Sequence, residues 1–176
     1  MTENPVHTLS EINRLDCKAF VATLGGVFEH APWVAERAWP SRPFPTVDAL
    51  HSAMLAQIHA ADPAARIALL RGHPELAGRE AVAGSMTVES TSEQARLGLV
   101  ALTPAQHARM QDLNRRYRER HGFPCIIALS LHRDLGSVFA EFEKRLASPG
   151  AEEEGVALAQ VGHISGARLR RLVAED

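Results

Sequence analysis

Lysine is almost missing from this 176-residue chain: Lys18 and Lys144 are the only two, and arginine supplies the rest of the 19 basic residues. Against 21 acidic residues they leave a formal charge of −2, the wrong balance for a general binder of polyanions. An arginine bias of this kind reflects genome composition more often than nucleic-acid recognition. Cysteine is equally scarce. Cys17 and Cys125 form no CxxC pattern, and each lies in an apolar stretch where a free thiol behaves as a small hydrophobe. A disulfide framework is thereby excluded, and a reducing, cytosolic-type compartment is expected. No apolar run approaches the roughly 20 residues that cross a bilayer. The opening "MTENPVHTLS" has no charged-then-apolar layout of a secretion signal, and the closing "RRLVAED" is not a peroxisomal address. The expectation is a cytoplasmic protein with no membrane partner.

Motifs for several chemistries are missing as well. No GxSxG elbow, no GxxxxGK[ST] and no GxGxxG occurs, which removes most support for nucleotide-dependent reactions. Nine histidines are present, yet none sits in an HExxH and neither cysteine has a His or Cys partner at zinc-ligand spacing. His51 and His59 stand eight apart on one expected helix, and solvent or a core edge suits them better than a shared ion. No metal is expected.

What the chain does contain is a succession of helix starts and stops. Ser10 can cap a helix whose face carries Ile12, Leu15, Ala19 and Phe20 and which stops at Gly25-Gly26. Pro32 opens "PWVAERAW", Thr46 caps a segment striped with Leu50, Met54 and Ile58, and Asp62-Pro63 starts a helix that stops at Gly72. Thr103 stands three residues before Gln106, the capping-box spacing, and Gly122 closes that helix. "FPCIIALSL" reads as a buried run too short to assign to strand or helix. Asp134–Ala147, with Val138, Phe142 and Leu146, and a last segment with Val161, Ile164, Leu169 and Leu172 complete the pattern. The fold class expected is all-α, a single-domain bundle over residues 1–176 with about seven to nine helices. A unit of this length can bury roughly 70% of its unfolded surface.

Three polar features stand out. In "LLRGHPELAG", His73 precedes Pro74, which pushes it out of the α region, so the helix must end there and the backbone sets the imidazole's direction. Such a histidine can terminate a helix and bond its last carbonyls, or it can serve as an acid/base group held at one angle. In "STSE", Ser90 and Glu93 fit a capping box, and a glutamate in a first helical turn is favoured as the anion. "NRRYRERHG" is densely basic around Tyr117, but on a helix its arginines spread around the circumference and Glu119 dilutes them, the pattern of a solvated face.

Taken in order, "FVATLGGVFEHAPWVAERAW", "RPF", "HPELAG", "ESTSEQARLGL", "LNRRYRERHGFPCIIAL" and "QVGHISGARLRRL" resemble the 2-oxo-4-hydroxy-4-carboxy-5-ureidoimidazoline (OHCU) decarboxylases of urate breakdown, from about Ile12 to Leu172. The resemblance implies an all-helical homodimer that needs no cofactor and converts a small-molecule substrate, OHCU, to (S)-allantoin and carbon dioxide. Carried over by position, it implies catalytic roles for His73, Glu93 and Arg168, and substrate contacts from Pro74, Ser90, Gln94, Ile126 and Ile127. Two positions depart from the family pattern: Glu75 stands for the usual Asp after His-Pro, and Cys125 for the usual Phe after Gly-Phe-Pro. Two other readings stay open at this point, a helical partner-binding module without catalysis and a lyase or hydrolase for a related ureide.

Overall fold

A computed structural model describes residues 7–84 and 86–176, so the first six residues of the opening stretch lie outside the described part. Among the described residues ten α-helices alternate with short turns, and the one sheet is a parallel pair of two-residue strands, β1 (His7–Thr8) and β2 (Val173–Ala174). The chain divides into two compact units. One takes the residues up to Leu69 together with Ser165–Asp176; the other is Leu70–Ile164.

In the first unit, the helix expected from Ser10 is in fact two helices. Thr8, not Ser10, caps α1 (Leu9–Arg14) in a capping box with Glu11, and Ser10 instead bonds Asp176. Leu15 is extended, and the Asp16 carboxylate accepts from Ala19 N–H to begin α2 (Cys17–Leu24). A carboxylate two residues after a helix end is a start signal in its own right, and it outcompetes the continuous apolar stripe. Gly25 ends α2 where the sequence predicts, but at φ −62° rather than in the left-handed conformation common at a helix stop. Its glycine is required for closeness: a Cβ there would stand 2.5 Å from the Val21 carbonyl oxygen and 3.2 Å from Pro32 Cβ.

α3 (Trp33–Ala38) begins after Pro32 and packs on α4 (Val47–Ala60), which Thr46 caps as expected. Phe20, Leu24, Val34, Leu50 and Met54 are fully buried in this unit. The "RPF" stretch is structural. Arg42 donates to the carbonyls of Asn13 and Leu15 at 3.0 and 2.5 Å and covers the Trp39 ring, while the Asn13 amide bonds both backbone groups of Phe44. α5 (Pro63–Arg71) starts where Asp62 accepts from Ala65 N–H and gives way at Gly72, as the sequence predicts.

The second unit holds α6 (Arg79–Ala83), α7 (Val88–Arg96), α8 (Pro104–His121) and α9 (Leu135–Ala147), and most of α10 (Gly150–Leu172). The capping box of Thr103 with Gln106 opens α8, and Gly122 at φ +79° closes it, where any side chain would be strained. α8 packs on α9, with the Tyr117 ring edge-on to that of Phe142 at 5.8 Å; Met110 and Leu113 of α8 and Val138 of α9 are buried as well. Not every core expectation holds here. Leu146 is half-buried, and the neighbouring Arg145 is the side chain that α9 sends inward. Of the residues expected in the core of the last segment, Val161 and Leu169 are buried, whereas Ile164 and Leu172 are half-buried.

Candidate active site

The stretch after α5 is a tight, buried loop. His73 N–H still bonds the Leu70 carbonyl at 3.2 Å, a last turn of helix, and Pro74 then forces the chain to extend. His73 is only 7% exposed. Two residues on, the Glu75 carboxylate pairs with Arg118 of α8 at 2.9 Å, which ties the loop to that helix. Ala77 lies at φ +48°, a left-handed conformation that a residue with a Cβ adopts at a cost. Four hydrogen bonds from side-chain amides surround it. Gln94 Oε1 accepts from Ala77 N–H at 2.8 Å and Gln94 Nε2 donates to the Glu75 carbonyl at 3.2 Å. Gln111 Nε2 donates to the Ala77 carbonyl at 2.8 Å, and Asn114 Nδ2 to the Leu76 carbonyl at 2.9 Å.

The N-cap of α7 (Val88–Arg96) stands three residues before the expected one. Thr87 is its N-cap and accepts from Ser90 N–H at 3.3 Å, which places Ser90 in the first turn and Glu93 well inside the helix. The capping-box role expected of Ser90 and Glu93 is therefore corrected: Thr87 offers an equivalent hydroxyl one turn earlier, and the helix takes it. Glu93 is half-buried, while Ser90 and Gln94 are buried. Gln94, four residues after Ser90, turns its whole amide onto the His73 loop and also meets Met86 Sδ.

"FPCIIALSL" is neither strand nor helix at first: Phe123–Ala128 runs without regular structure, and a 3-10 turn follows over Leu129–Leu131. Its buried backbone groups are satisfied by side chains from elsewhere. Arg145 donates to the Ile126 carbonyl at 2.9 Å, Gln160 accepts from Ala128 N–H at 2.8 Å, and Arg96 donates to the Leu129 carbonyl. Ile126 and Ile127 are both buried. Beneath them lies a polar cluster in which Glu153 Oε1 accepts from Arg145 Nε at 2.5 Å and from the Tyr117 hydroxyl, all three side chains being essentially inaccessible. Burial pushes the Tyr117 hydroxyl well above its ordinary pKa, and burial likewise raises the Cys125 thiol.

Arg168 belongs to the first unit, near the end of α10. It is 3% exposed, and its Nη1 donates at 2.8 Å to Oε2 of Glu29, itself 1% exposed. Glu29 precedes His30, which holds φ +51° and brings its Nε2 to 3.9 Å from Glu29 Oε1. One turn before Arg168, Ser165 Oγ lies 2.9 Å from His51 Nε2, and a Cβ on Gly166 would stand 3.1 Å from the His51 ring. His51 is thus a core-edge residue, and burial lowers its pKa. Its expected neighbour His59 is exposed. Among the described residues no group of three His, Cys, Asp or Glu side chains gathers as a metal site would require.

Sequence reasoning missed Glu29, Gln111 and Asn114. Glu29 carried a signal: a lone carboxylate inside "GGVFEHAP", an otherwise apolar loop, needs a cationic partner if the loop is buried. Gln111 and Asn114 carried none, because their partners are backbone groups more than thirty positions away. The basic stretch behaves as a solvated face: Arg115 and Arg116 pair with Asp112, Arg115 also with Glu119, and Tyr117 is fully buried.

The chain matches the OHCU decarboxylase family model over residues 13–170. A 2-oxo-4-hydroxy-4-carboxy-5-ureidoimidazoline decarboxylase of Haloferax volcanii is 41% identical over 162 residues, which cover 92% of this chain and 94% of that protein. One of Halalkalicoccus jeotgali is 38% identical over 94% of this chain and 91% of its own length. Among solved structures, a crystal structure of (S)-allantoin synthase matches with a TM-score of 0.71 and 27% identity. That match covers 94% of this chain but only 54% of the other. Motif order, helical fold and near full-length similarity agree, and the chain belongs to the OHCU decarboxylase family.

Proposed function

We propose that this chain decarboxylates OHCU to (S)-allantoin in urate breakdown, with His73 as general acid/base, Glu93 as a hydrogen-bond acceptor and Arg168 as the cation that orients the anionic substrate. The observation that carries the reading is family membership across residues 13–170, with His, Glu and Arg standing at the three motif positions. Pro74, Ser90, Gln94, Ile126 and Ile127 are the substrate contacts on this reading. The substrate is a small molecule; neither nucleic acid nor membrane takes part, and among the described residues no helix is long and apolar enough to cross a bilayer. The protein acts as a homodimer in the cytoplasm.

The chemistry asks little of the protein beyond protons, orientation and charge. Loss of carbon dioxide breaks the bond between the carboxylate and the ring carbon that also bears the hydroxyl. The electron pair left behind moves toward the adjacent imine, whose nitrogen takes one proton from solvent. His73 removes the hydroxyl proton as that carbon becomes a carbonyl, and returns a proton to the neighbouring carbon from one face. One proton is consumed overall, and one hand of product results. Because the substrate carries its own electron sink, the reading needs neither a Schiff-base lysine nor a metal. Arg168 suits the remaining task, since a guanidinium stays charged and presents a planar fork to carboxylate or carbonyl oxygens.

Circular dichroism on freshly generated OHCU tests the proposal. Spontaneous decay yields racemic allantoin, so the chain should produce a rapid signal of one sign. A signal no larger than that of the uncatalysed sample would overturn the reading, and would leave a binding module as the alternative.

A further inference from the structure

The four amide hydrogen bonds on the His73 loop come from two helices and converge on three consecutive residues. Gln94 of α7 holds Glu75 and Ala77, while Gln111 and Asn114 of α8 hold Ala77 and Leu76. Gln111, Asn114 and Arg118 are spaced i, i+3, i+7, one stripe of α8, and all three meet this loop, Arg118 through Glu75. The stripe is amidic and charged where a helix packing only for stability would be apolar. At its centre sits Ala77, left-handed at φ +48° and 5% exposed, a conformation that persists only where the surroundings over-determine it. Asn114, 3% exposed, even leaves its own Oδ1 buried without a partner among the described residues in order to place its N–H on Leu76.

We infer that Gln111 and Asn114 are positioning residues: with Gln94 they lock the Glu75–Ala77 backbone and so fix the direction in which Pro74 aims His73. Pro74 alone restricts the residue before it, but the loop beyond could still swing as a unit. The clamp removes that freedom from the far side. It rests on the reading of His73 as the proton-transferring group, and it assigns Gln94 a part in the loop besides any contact with substrate.

The test uses the full chain with Asn114→Ala and Gln111→Ala, beside Arg115→Ala as a control on the exposed face of the same helix. Both clamp variants should lower kcat by about ten- to a hundredfold, the usual penalty for a misdirected catalytic group, while KM stays within about threefold and Arg115→Ala matches the parent. The His73 imidazole resonance, identified by its absence in His73→Asn, should be a single line in the parent and broadened or doubled in the clamp variants. That signature does not depend on turnover, so it decides the clamp even if the parent proves inactive on OHCU. An unchanged His73 line with unchanged kcat would overturn the inference, as would activity lost only in proportion to unfolded protein. Gln111 is half-buried and its truncation leaves no deep cavity, so this arm stands if Asn114→Ala fails to fold.

Discussion

His73→Asn yields a folded chain that forms (S)-allantoin no faster than OHCU decays unaided. The side chain is the only thing removed, because the helix end is secured by the His73 backbone N–H on Leu70 and by Pro74, both of which survive the substitution. Asparagine fills much of the same volume and can hydrogen bond, but it cannot accept and return a proton near neutral pH. Loss of a general acid/base group costs typically about 10²- to 10⁴-fold, enough here to sink the reaction beneath its spontaneous background. Stopped-flow circular dichroism measures the rate, and far-ultraviolet dichroism checks the fold. Near-normal turnover would remove His73 from the chemistry while leaving family membership untouched.

The largest effect on stability is expected at Glu153. Its carboxylate is the shared acceptor for Arg145 Nε and the Tyr117 hydroxyl, and none of the three side chains is more than 2% exposed. Glu153→Ala strands a guanidinium and a phenol in the core. Breaking a buried pair by deleting one partner costs about 3–5 kcal/mol. For a chain of this size that lowers Tm by roughly 6–20 °C. Arg145 also holds the Ile126 carbonyl, so hydrogen exchange should accelerate first along Phe123–Leu129, the segment with no ladder of its own. Differential scanning calorimetry gives the first result; a Tm within 2 °C of the parent would show that the cluster is dispensable. Glu153→Gln, which keeps an oxygen acceptor but loses the charge, should fall between the two.

Both expectations begin from residues that local pattern alone described unevenly. Helix starts were legible at Thr46, Asp62, Thr103 and Asp134, where a hydroxyl or carboxylate stands before an apolar stripe, because a cap is a contact over three residues. The same rule misled at Ser10 and Ser90, where Thr8 and Thr87 offered a better-placed oxygen two or three positions earlier. Among candidate functional residues, His73 was visible through Pro74, whereas Glu93 and Arg168 came from resemblance. Arg145 was invisible for a physical reason: a helix position reads as polar or apolar from its residue type, and only the distant Glu153 and Tyr117 make a buried arginine tolerable. The Phe123–Leu129 run stayed unassigned because its backbone partners, Arg96, Arg145 and Gln160, lie on three other helices.

The two thiols make the chain its own timer of opening. Cys125 is 1% exposed and burial keeps its thiol protonated, so a thiol reagent finds no nucleophile there while the fold is closed. Cys17, half-buried in the first turn of α2, is the accessible one. Labelling with an aromatic disulfide therefore splits into a prompt step and a delayed one, and the delay counts how often the floor beneath Ile126 and Ile127 comes apart.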